Sequence, residues 1–168
     1  DLDGVGDSDL GKTVGQPVVG RLADGDFYAL FGNGYDSANH CPTLYLVRLR
    51  DGFVRKIKVN PAGGTVNAST TCSAPNGLGR PSLFDTAVLT GGAGDRITDY
   101  VYAGDFQGNV WRFDLRTLSA PSGSPPQLLS SSFGLRIFNA VVSGTGQPIT
   151  GGIEIGKDID VAARGHGP

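Results

Sequence analysis

With 168 residues, the chain is long enough for one domain with a sizeable core. It has 27 glycines and 10 prolines but only 18% charged residues, a mixture typical of many short strands joined by tight turns. The net charge of −2, the lack of a long basic tract and the lack of a long apolar run argue against a nucleic-acid partner, an anionic membrane surface and a membrane span.

The chain begins with the acidic stretch "DLDGVGDSDLG". Its spacing misses the middle oxygen ligand of a calcium loop, because Val5 stands at that position. We expect a solvated loop here, with calcium binding as the alternative. The aspartates concerned are Asp1, Asp3, Asp7 and Asp9.

Strands with alternating apolar residues are predicted next. "DFYALFGNG" (26–34) leads into "TLYLVRLRDGFVRKIKV" (43–59), whose central Asp-Gly favours a hairpin. The basic residues of this hairpin alternate along the strands, which favours a solvated strand face. They are Arg48, Arg50, Arg55, Lys56 and Lys58.

Two cysteines, Cys41 and Cys72, lie in polar loops without a CxxC motif. Only His40 is adjacent, so a metal site would lack ligands. A disulfide formed in an oxidising compartment is the favoured interpretation, and two buried free thiols are the alternative.

A short motif recurs along the chain, and its prolines, Pro17, Pro81 and Pro148, are 64 and 67 residues apart. A repeat of about 65 residues with about four strands per unit is typical of a β-propeller blade. We therefore predict an all-β fold of quinoprotein-like propeller blades. Closed propellers have at least about four blades, so the alternatives are a segment of a longer propeller, a small β-sandwich, or several copies that close a ring. We favour the segment, with blade 1 at about 11–75, blade 2 at about 76–140 and the start of blade 3 at about 141–168.

The stretch "YAGDFQGNVWRFDL" (102–115) predicts a strand, a turn and a second strand. Trp111 and Phe113 project to the same face of their strand and are expected to fill the core between sheets, together with Tyr102. Gly104 and Gly108 allow the turn.

Several stretches resemble the C-terminal propeller of the PilC/PilY family of type IV pilus biogenesis factors and tip adhesins. They are "LGKTVGQPVVGRLADGDFYALFGNGYDSAN" (10–39), "TLYLVRLRDG" (43–52), "DYVYAGDFQGNVWRFDL" (99–115) and "GQPITGGIEIG" (146–156). The resemblance implies a protein of the bacterial cell surface or pilus tip, reached through the periplasm, without catalytic activity. It implies a role in pilus extension, twitching motility and attachment, with minor pilins or pilus tip proteins and a host or abiotic surface as partners.

The same resemblance raises the question of calcium, because family members carry an aspartate-rich loop just before the YAGD strand. In "FDTAVLTGGAGDRITDYVYAGD" (84–105), positions 91 and 93 lack the expected carboxylates. Asp85, Asp95 and Asp99 are the candidate Ca²⁺ ligands that remain. The alternative is a plain turn that no longer binds calcium.

No catalytic motif accompanies the two histidines, His40 and His166. A fragment of a quinone-dependent dehydrogenase and a secreted, calcium-stabilised adhesion module unrelated to pili are the alternatives to a pilus factor. The polar loop "NGYDSANHCP" is either a recognition surface or a loop that packs blade against blade. Its candidate recognition residues are Asn33, Tyr35, Asp36 and Asn39.

Overall fold

The computed structural model describes residues 6–13, 15–90 and 93–156, and the regular structure of these residues is β-strand apart from two short 3₁₀ turns at Thr86–Thr90 and Ser131–Phe133. The predicted all-β class is confirmed. In chain order the strands are β1 (Val18–Arg21), β2 (Phe27–Gly32), β3 (Thr43–Arg48), β4 (Val54–Lys58), β5 (Ser82–Phe84), β6 (Tyr100–Gly104), β7 (Asn109–Asp114), β8 (Gln127–Leu129), β9 (Gly134–Asn139), β10 (Val141–Val142) and β11 (Thr145–Gly146).

Two sheets hold these strands. The first has the order β1-β2-β3-β4-β8 and the second the order β5-β6-β7-β9, while β10 and β11 form a separate hairpin. Neighbouring strands are antiparallel except that β8 runs parallel to β4. β8 lies in the range predicted for the second blade but pairs with the first sheet, so the second unit contributes a strand to the first sheet. The exact blade boundaries stay a prediction.

The two sheets share one apolar core. Strand β2 buries every second residue, as does β7, which is the period of a sheet with one inward face. The expected burial of Trp111 and Phe113 is confirmed. The core comprises Leu22, Tyr28, Leu30, Leu44, Leu46, Ile57, Val59, Leu78, Val101, Ala103, Trp111, Phe113, Leu115 and Leu118.

Tyr102 does not belong to this core, so that prediction was wrong. Ala103 pairs opposite Trp111 and is fully buried, whereas Tyr102 pairs opposite Arg112 on the other face of the sheet. On that face Tyr100 lies between two guanidinium groups, with the Cζ atoms of Arg112 and Arg116 each 4.9 Å from its ring centroid. The small side chain of Ala103 leaves room for the Trp111 indole. The face of the sheet that carries these two residues is therefore the inward face.

The turns after β2 and β6 are equivalent in the two units, and each contains a buried polar residue, Asn33 in one and Asp105 in the other. The segment before each unit pairs with its own turn, through the bridges Lys12–Tyr35 and Leu78–Asp105. The first turn requires glycine, because Gly34 has a φ of 68° and an added Cβ would lie 2.0 Å from the carbonyl oxygen of Lys12. The internal repeat in the sequence is therefore a repeat in space.

Both sheets also carry large apolar side chains that face solvent. On the first sheet these are Val19 and Phe27, and on the second they lie along β9 and continue into β10. Contiguous exposed apolar surface usually marks a surface that another element covers. The exposed members at β9 and β10 are Leu135, Ile137, Phe138, Val141 and Val142.

Candidate functional site

The loop after β2 places two of its predicted recognition residues at the surface. Tyr35 is 41% exposed and Asp36 is exposed beside it. Lys12 Nζ lies 2.7 Å from Asp36 Oδ2 and 5.5 Å from the centroid of the Tyr35 ring. Tyr35 also meets Phe106 of the equivalent turn edge to face, with 6.4 Å between the ring centroids. Aromatic rings of successive units thus adjoin at one end of the two sheets.

Asn33 and Asn39 are buried, so the prediction that they belong to a recognition surface was wrong. Asn33 has no exposed surface. Its Nδ2 donates to the carbonyl oxygens of Asp9 and Cys41, while its Oδ1 accepts from the backbone N–H groups of Thr43 and Leu78. This side chain connects both units with the N-terminal segment. A polar residue with every hydrogen-bonding position used inside the protein has an architectural role.

Asp105 has the corresponding place in the second unit and is also fully buried. Five donors converge on its carboxylate. The backbone N–H groups of Gln107 and Asn109 donate to Oδ1, each at 2.9 Å. Oδ2 accepts from the side chains of Asn76, Asn109 and Trp111 at 2.9, 2.7 and 2.8 Å. A buried charge is tolerated when it is hydrogen-bonded in this way, and these bonds fix both the turn and the orientation of the indole.

The N-terminal acidic segment is not a solvated loop, which corrects the prediction for Asp7 and Asp9; Asp1 and Asp3 lie outside the described residues. Asp9 is 1% exposed and pairs with Lys56 through Oδ2 and with Lys58 through Oδ1, both at 2.7 Å. Lys56 Nζ also lies 2.7 Å from Asp7 Oδ1. Two aspartates at positions i and i+2 thus face two lysines at positions i and i+2. We call these four residues the ion-pair clasp.

The clasp connects three parts of the chain. Lys58 is fully buried, and its Nζ donates to the carbonyl oxygens of Ala68 and Thr70 in the loop that carries Cys72. Asn39 donates from Nδ2 to Asp9 Oδ1 at 2.7 Å. The N-terminal segment, strand β4 and the 60–76 loop are therefore held through one set of charges. Matching i, i+2 spacing of opposite charges was the sequence signal that could have revealed it.

The contacts of the clasp shift the pKa of Asp7, one of its members, and the pKa of the adjacent Tyr45. Burial alone would raise the pKa of Asp7, but hydrogen bonds from Lys56 and Tyr45 outweigh it and hold that pKa below its usual value. Burial raises the pKa of Tyr45, as does its hydrogen bond to Asp7, so its hydroxyl stays protonated and donates to Asp7 Oδ2. Both groups are thus fixed in the forms that bind each other.

The arginines of the hairpin β3–β4 also differ from the predicted solvated face. Arg48 is buried between Asp26 and Asp51, with nitrogen–oxygen distances of 3.2 and 2.7 Å. Arg55 is buried as well and donates to the carbonyl oxygen of Ser119. Arg50 alone of the five basic residues is largely exposed. Alternation of charge indicated the strand correctly but gave the wrong environment, because carboxylates and carbonyl oxygens from other parts of the chain pair with the basic side chains.

Cys41 and Cys72 form a disulfide, the pairing that the sequence favoured, with 5.1 Å between their Cα atoms. Both cysteines are buried. The backbone N–H of Cys72 donates to the carbonyl oxygen of Asn39 at 2.9 Å. The bond therefore joins the loop after β2 to the loop after β4, next to the ion-pair clasp.

The three candidate calcium ligands accept hydrogen bonds from the 3₁₀ turn at Thr86–Thr90 and from the loop that follows it. Asp85 accepts from the backbone N–H groups of Ala87 and Arg96, and Asp95 accepts from that of Ile97. Asp99 accepts from the backbone N–H and the hydroxyl of Thr86. The residues that the structure describes contain no group of three His, Cys, Asp or Glu side chains placed to hold a metal, and Gly91 and Gly92 lie outside them. Calcium binding by this loop stays an untested prediction.

No catalytic constellation is found within residues 6–13, 15–90 and 93–156. Both thiols are used in the disulfide, and His40 lies in a left-handed turn with a φ of 57°. His166 falls outside the described part of the chain. Within that part, no helix is long and apolar enough to cross a membrane. What the geometry offers is a rigid frame with polar and aromatic turns at one end.

A family model for the PilY1 beta-propeller domain matches residues 3–155. The chain belongs to the PilY1 β-propeller family. The expected fold, a segment of a β-propeller, is confirmed by this match and by a solved relative. That relative is the crystal structure of the Pseudomonas aeruginosa PilY1 C-terminal domain, with a TM-score of 0.64 and 32% identity. The match covers 86% of this chain and 29% of the crystallised one.

Curated relatives agree with this family. A type IV pilus biogenesis factor PilY1 homolog of Xylella fastidiosa is 32% identical over 163 residues, which is 92% of this chain and 10% of that protein. The type IV pilus biogenesis factor PilY1 of Pseudomonas aeruginosa is 40% identical over 116 residues, which is 68% of this chain and 9% of that protein. The chain thus spans about a tenth of the length of the PilY1 proteins that it matches.

The lowered pKa of Asp7 predicts acid sensitivity. A carboxylate whose pKa is lower in the folded state contributes stability above its unfolded pKa and loses it as the pH falls through the folded value. The wild-type melting temperature should therefore drop as the pH is lowered from about 4. Asp7→Asn should cost about 1.5–3 kcal/mol of unfolding free energy at pH 7 and flatten the profile below pH 4.

Thermal melts from pH 2.5 to pH 7 measure this effect. The matched control is Asp36→Asn, which removes an exposed ion pair with Lys12 and should change stability by at most about 1 kcal/mol. An Asp7→Asn profile as steep as that of the wild type would contradict the assigned role of Asp7.

Because Asp85, Asp95 and Asp99 cap turns, we expect calcium to leave the melting temperature unchanged. Ligand binding to the native state alone would add about 2.7 kcal/mol at a hundredfold excess over Kd. Asp99→Ala should lower the melting temperature equally in calcium and in chelator, since it removes the bonds to Thr86 in both. A calcium-dependent rise that disappears in the Asp95→Ala/Asp99→Ala variant would show that the loop is a calcium site after all.

Proposed function

We propose that this chain is a propeller segment of a type IV pilus biogenesis factor and acts as a binding scaffold rather than as an enzyme. The observation that carries the proposal is the family match over residues 3–155. Its PilY1 relatives are named pilus biogenesis factors, which gives the assembly role. The finer part of the proposal is that the protein promotes pilus extension, twitching motility and surface attachment. This part rests on the same family membership.

The described residues suit a scaffold. The disulfide, the ion-pair clasp and the polar turns at Asn33 and Asp105 bind loops to sheets through buried contacts. A protein that transmits force during pilus extension and retraction needs turns that do not open under load. Buried pairs with satisfied hydrogen bonds supply this rigidity, because the loss of one partner leaves an uncompensated buried charge at a cost of about 3–5 kcal/mol.

We place the protein at the cell surface or pilus tip, with minor pilins or other tip proteins as partners and a host or abiotic surface as the target of attachment. The disulfide supports an oxidising, extracytoplasmic location. Modulation by calcium through Asp85, Asp95 and Asp99 stays a prediction, which the thermal melts in calcium and in chelator test.

The exposed apolar faces suit blades of a larger ring. Val19 and Phe27 lie on one sheet and Leu135 and Phe138 on the other, where neighbouring blades would cover them. The crystallised relative is more than three times longer than the matched part, which is enough for further blades. Association through these faces is thus expected within the longer protein.

The test is an in-frame deletion of this segment from the full-length protein in its own bacterium. We expect far fewer surface pili by electron microscopy and reduced twitching zones, with normal cellular pilin, because the defect lies in assembly. Wild-type complementation should restore both, and so should the matched surface variant Arg50→Gln. Normal piliation with reduced attachment would instead indicate an adhesion module unrelated to pilus assembly, and oxidation of alcohols with a quinone cofactor would indicate a dehydrogenase.

A further inference from the structure

The two equivalent turns enclose a small cleft of about 260 Å³. Tyr35 and Phe106 form its aromatic side, and buried Leu78 and Gly34 line it further in. Arg80 lines the cleft with an exposed side chain. Thr150 completes the lining, and the buried Leu78 and Gly34 close the cleft on one side, so that it suits the end of a ligand.

The size of the cleft limits its occupant. Sites for cofactors and drug-sized ligands measure about 300–1,000 Å³, so this cleft is slightly below that range. One apolar or aromatic side chain suits the space beside the contacting rings of Tyr35 and Phe106. Three glycines contribute main chain to the wall of the cleft, Gly15, Gly34 and Gly79.

The charge around the cleft selects the rest of the ligand. Lys12 is paired with Asp36, so its charge is largely balanced. Arg80 forms no ion pair with any residue in the described ranges. A guanidinium binds a carboxylate through two parallel hydrogen bonds, and an unpaired one beside an apolar cleft complements a carboxylate attached to an apolar group.

We propose that this cleft binds the C-terminal residue of a partner protein, an apolar or aromatic residue whose free carboxylate pairs with Arg80. Capture of a C-terminal carboxylate is a known mode of peptide recognition, and here Arg80 would supply the donors. The inference deepens the proposed function, since it assigns a contact by which the scaffold holds a pilus component. Of the two exposed residues predicted for recognition, Tyr35 forms a wall of the cleft. Asp36 only neutralises Lys12.

The test uses two probes, N-acetyl-L-phenylalanine and its C-terminal amide, and saturation-transfer difference NMR on the full-length protein. The acid should bind saturably with a Kd in the millimolar range, as expected for so small a ligand. The amide should bind at least about tenfold more weakly, because it lacks the charge that pairs with Arg80.

Variants locate the binding. Arg80→Gln should weaken the acid about tenfold or more without affecting the amide, and Tyr35→Ala should weaken both probes. Tyr35→Phe keeps the ring and should restore binding. Arg50→Gln removes another exposed arginine and should change nothing. Arg80 and Tyr35 are exposed, so these variants are expected to fold.

The proposal is overturned if the acid does not bind saturably, if acid and amide bind equally, or if Arg80→Gln binds the acid like the wild type. None of these binding results depends on the number of surface pili measured in the deletion strain. Failure of the cleft and failure of the assembly role are therefore distinguishable.

Discussion

A carboxylate without access to solvent lies at the end of β6, and the arrangement of the second unit depends on it. Asp105 would be costly to bury if its oxygens lacked partners. Five donors supply those partners, from the turn itself, from the Trp111 indole and from Asn76 in the segment that leads into the unit. One charged group thus fixes turn, core and connection together.

In the first unit, the equivalent turn is fixed by an uncharged buried side chain, and a separate set of ion pairs holds the neighbouring segments. Asn33 uses its donor and acceptor positions to connect the loop, β3 and the second unit. The ion-pair clasp then holds the N-terminal segment against β4, and the disulfide joins the neighbouring loops. Apolar residues fill the space between the sheets, but the polar groups decide which loop lies where, because single donors such as Lys58 Nζ bind acceptors from different parts of the chain.

The division of labour between apolar packing and buried polar bonds suits the proposed role of the molecule. A pilus factor must present surfaces while the pilus is extended and pulled, and here the turns that face solvent are anchored from behind by buried polar bonds. Tyr35 and Phe106 project from such turns, so the aromatic cleft has rigid walls. The apolar outer faces, in contrast, provide for neighbouring blades. In the proposed role, recognition and ring assembly use different surfaces of the same two sheets.

The sequence predicted what depends on periodicity and on repetition. Alternation showed the strands, Trp111 and Phe113 showed the inward face of β7, and the recurring prolines showed the units. It failed where a contact depends on distant parts of the chain. Lys56 and Lys58 suggested a solvated face because their partners, Asp7 and Asp9, lie about 50 residues earlier. Asn33 and Asn39 resembled surface residues because polarity alone does not reveal burial. Tyr102 was misplaced because the register, which sets Ala103 opposite Trp111, is not visible in composition.

The central structural claim, that buried polar groups rather than apolar packing alone hold the units together, can be measured by hydrogen–deuterium exchange on Asp105→Asn. An asparagine would place its own donor against the donors of Asn76, Asn109 or Trp111. We predict faster hydrogen–deuterium exchange both in the turn at 105–109 and in the connecting segment at 76–79, while the exchange rates of β3 and β4 stay unchanged. The matched control Asp114→Asn, a partly exposed position on β7, should leave both regions protected. Unchanged protection at 76–79 in Asp105→Asn would contradict the account and assign the cohesion of the two units to the apolar core.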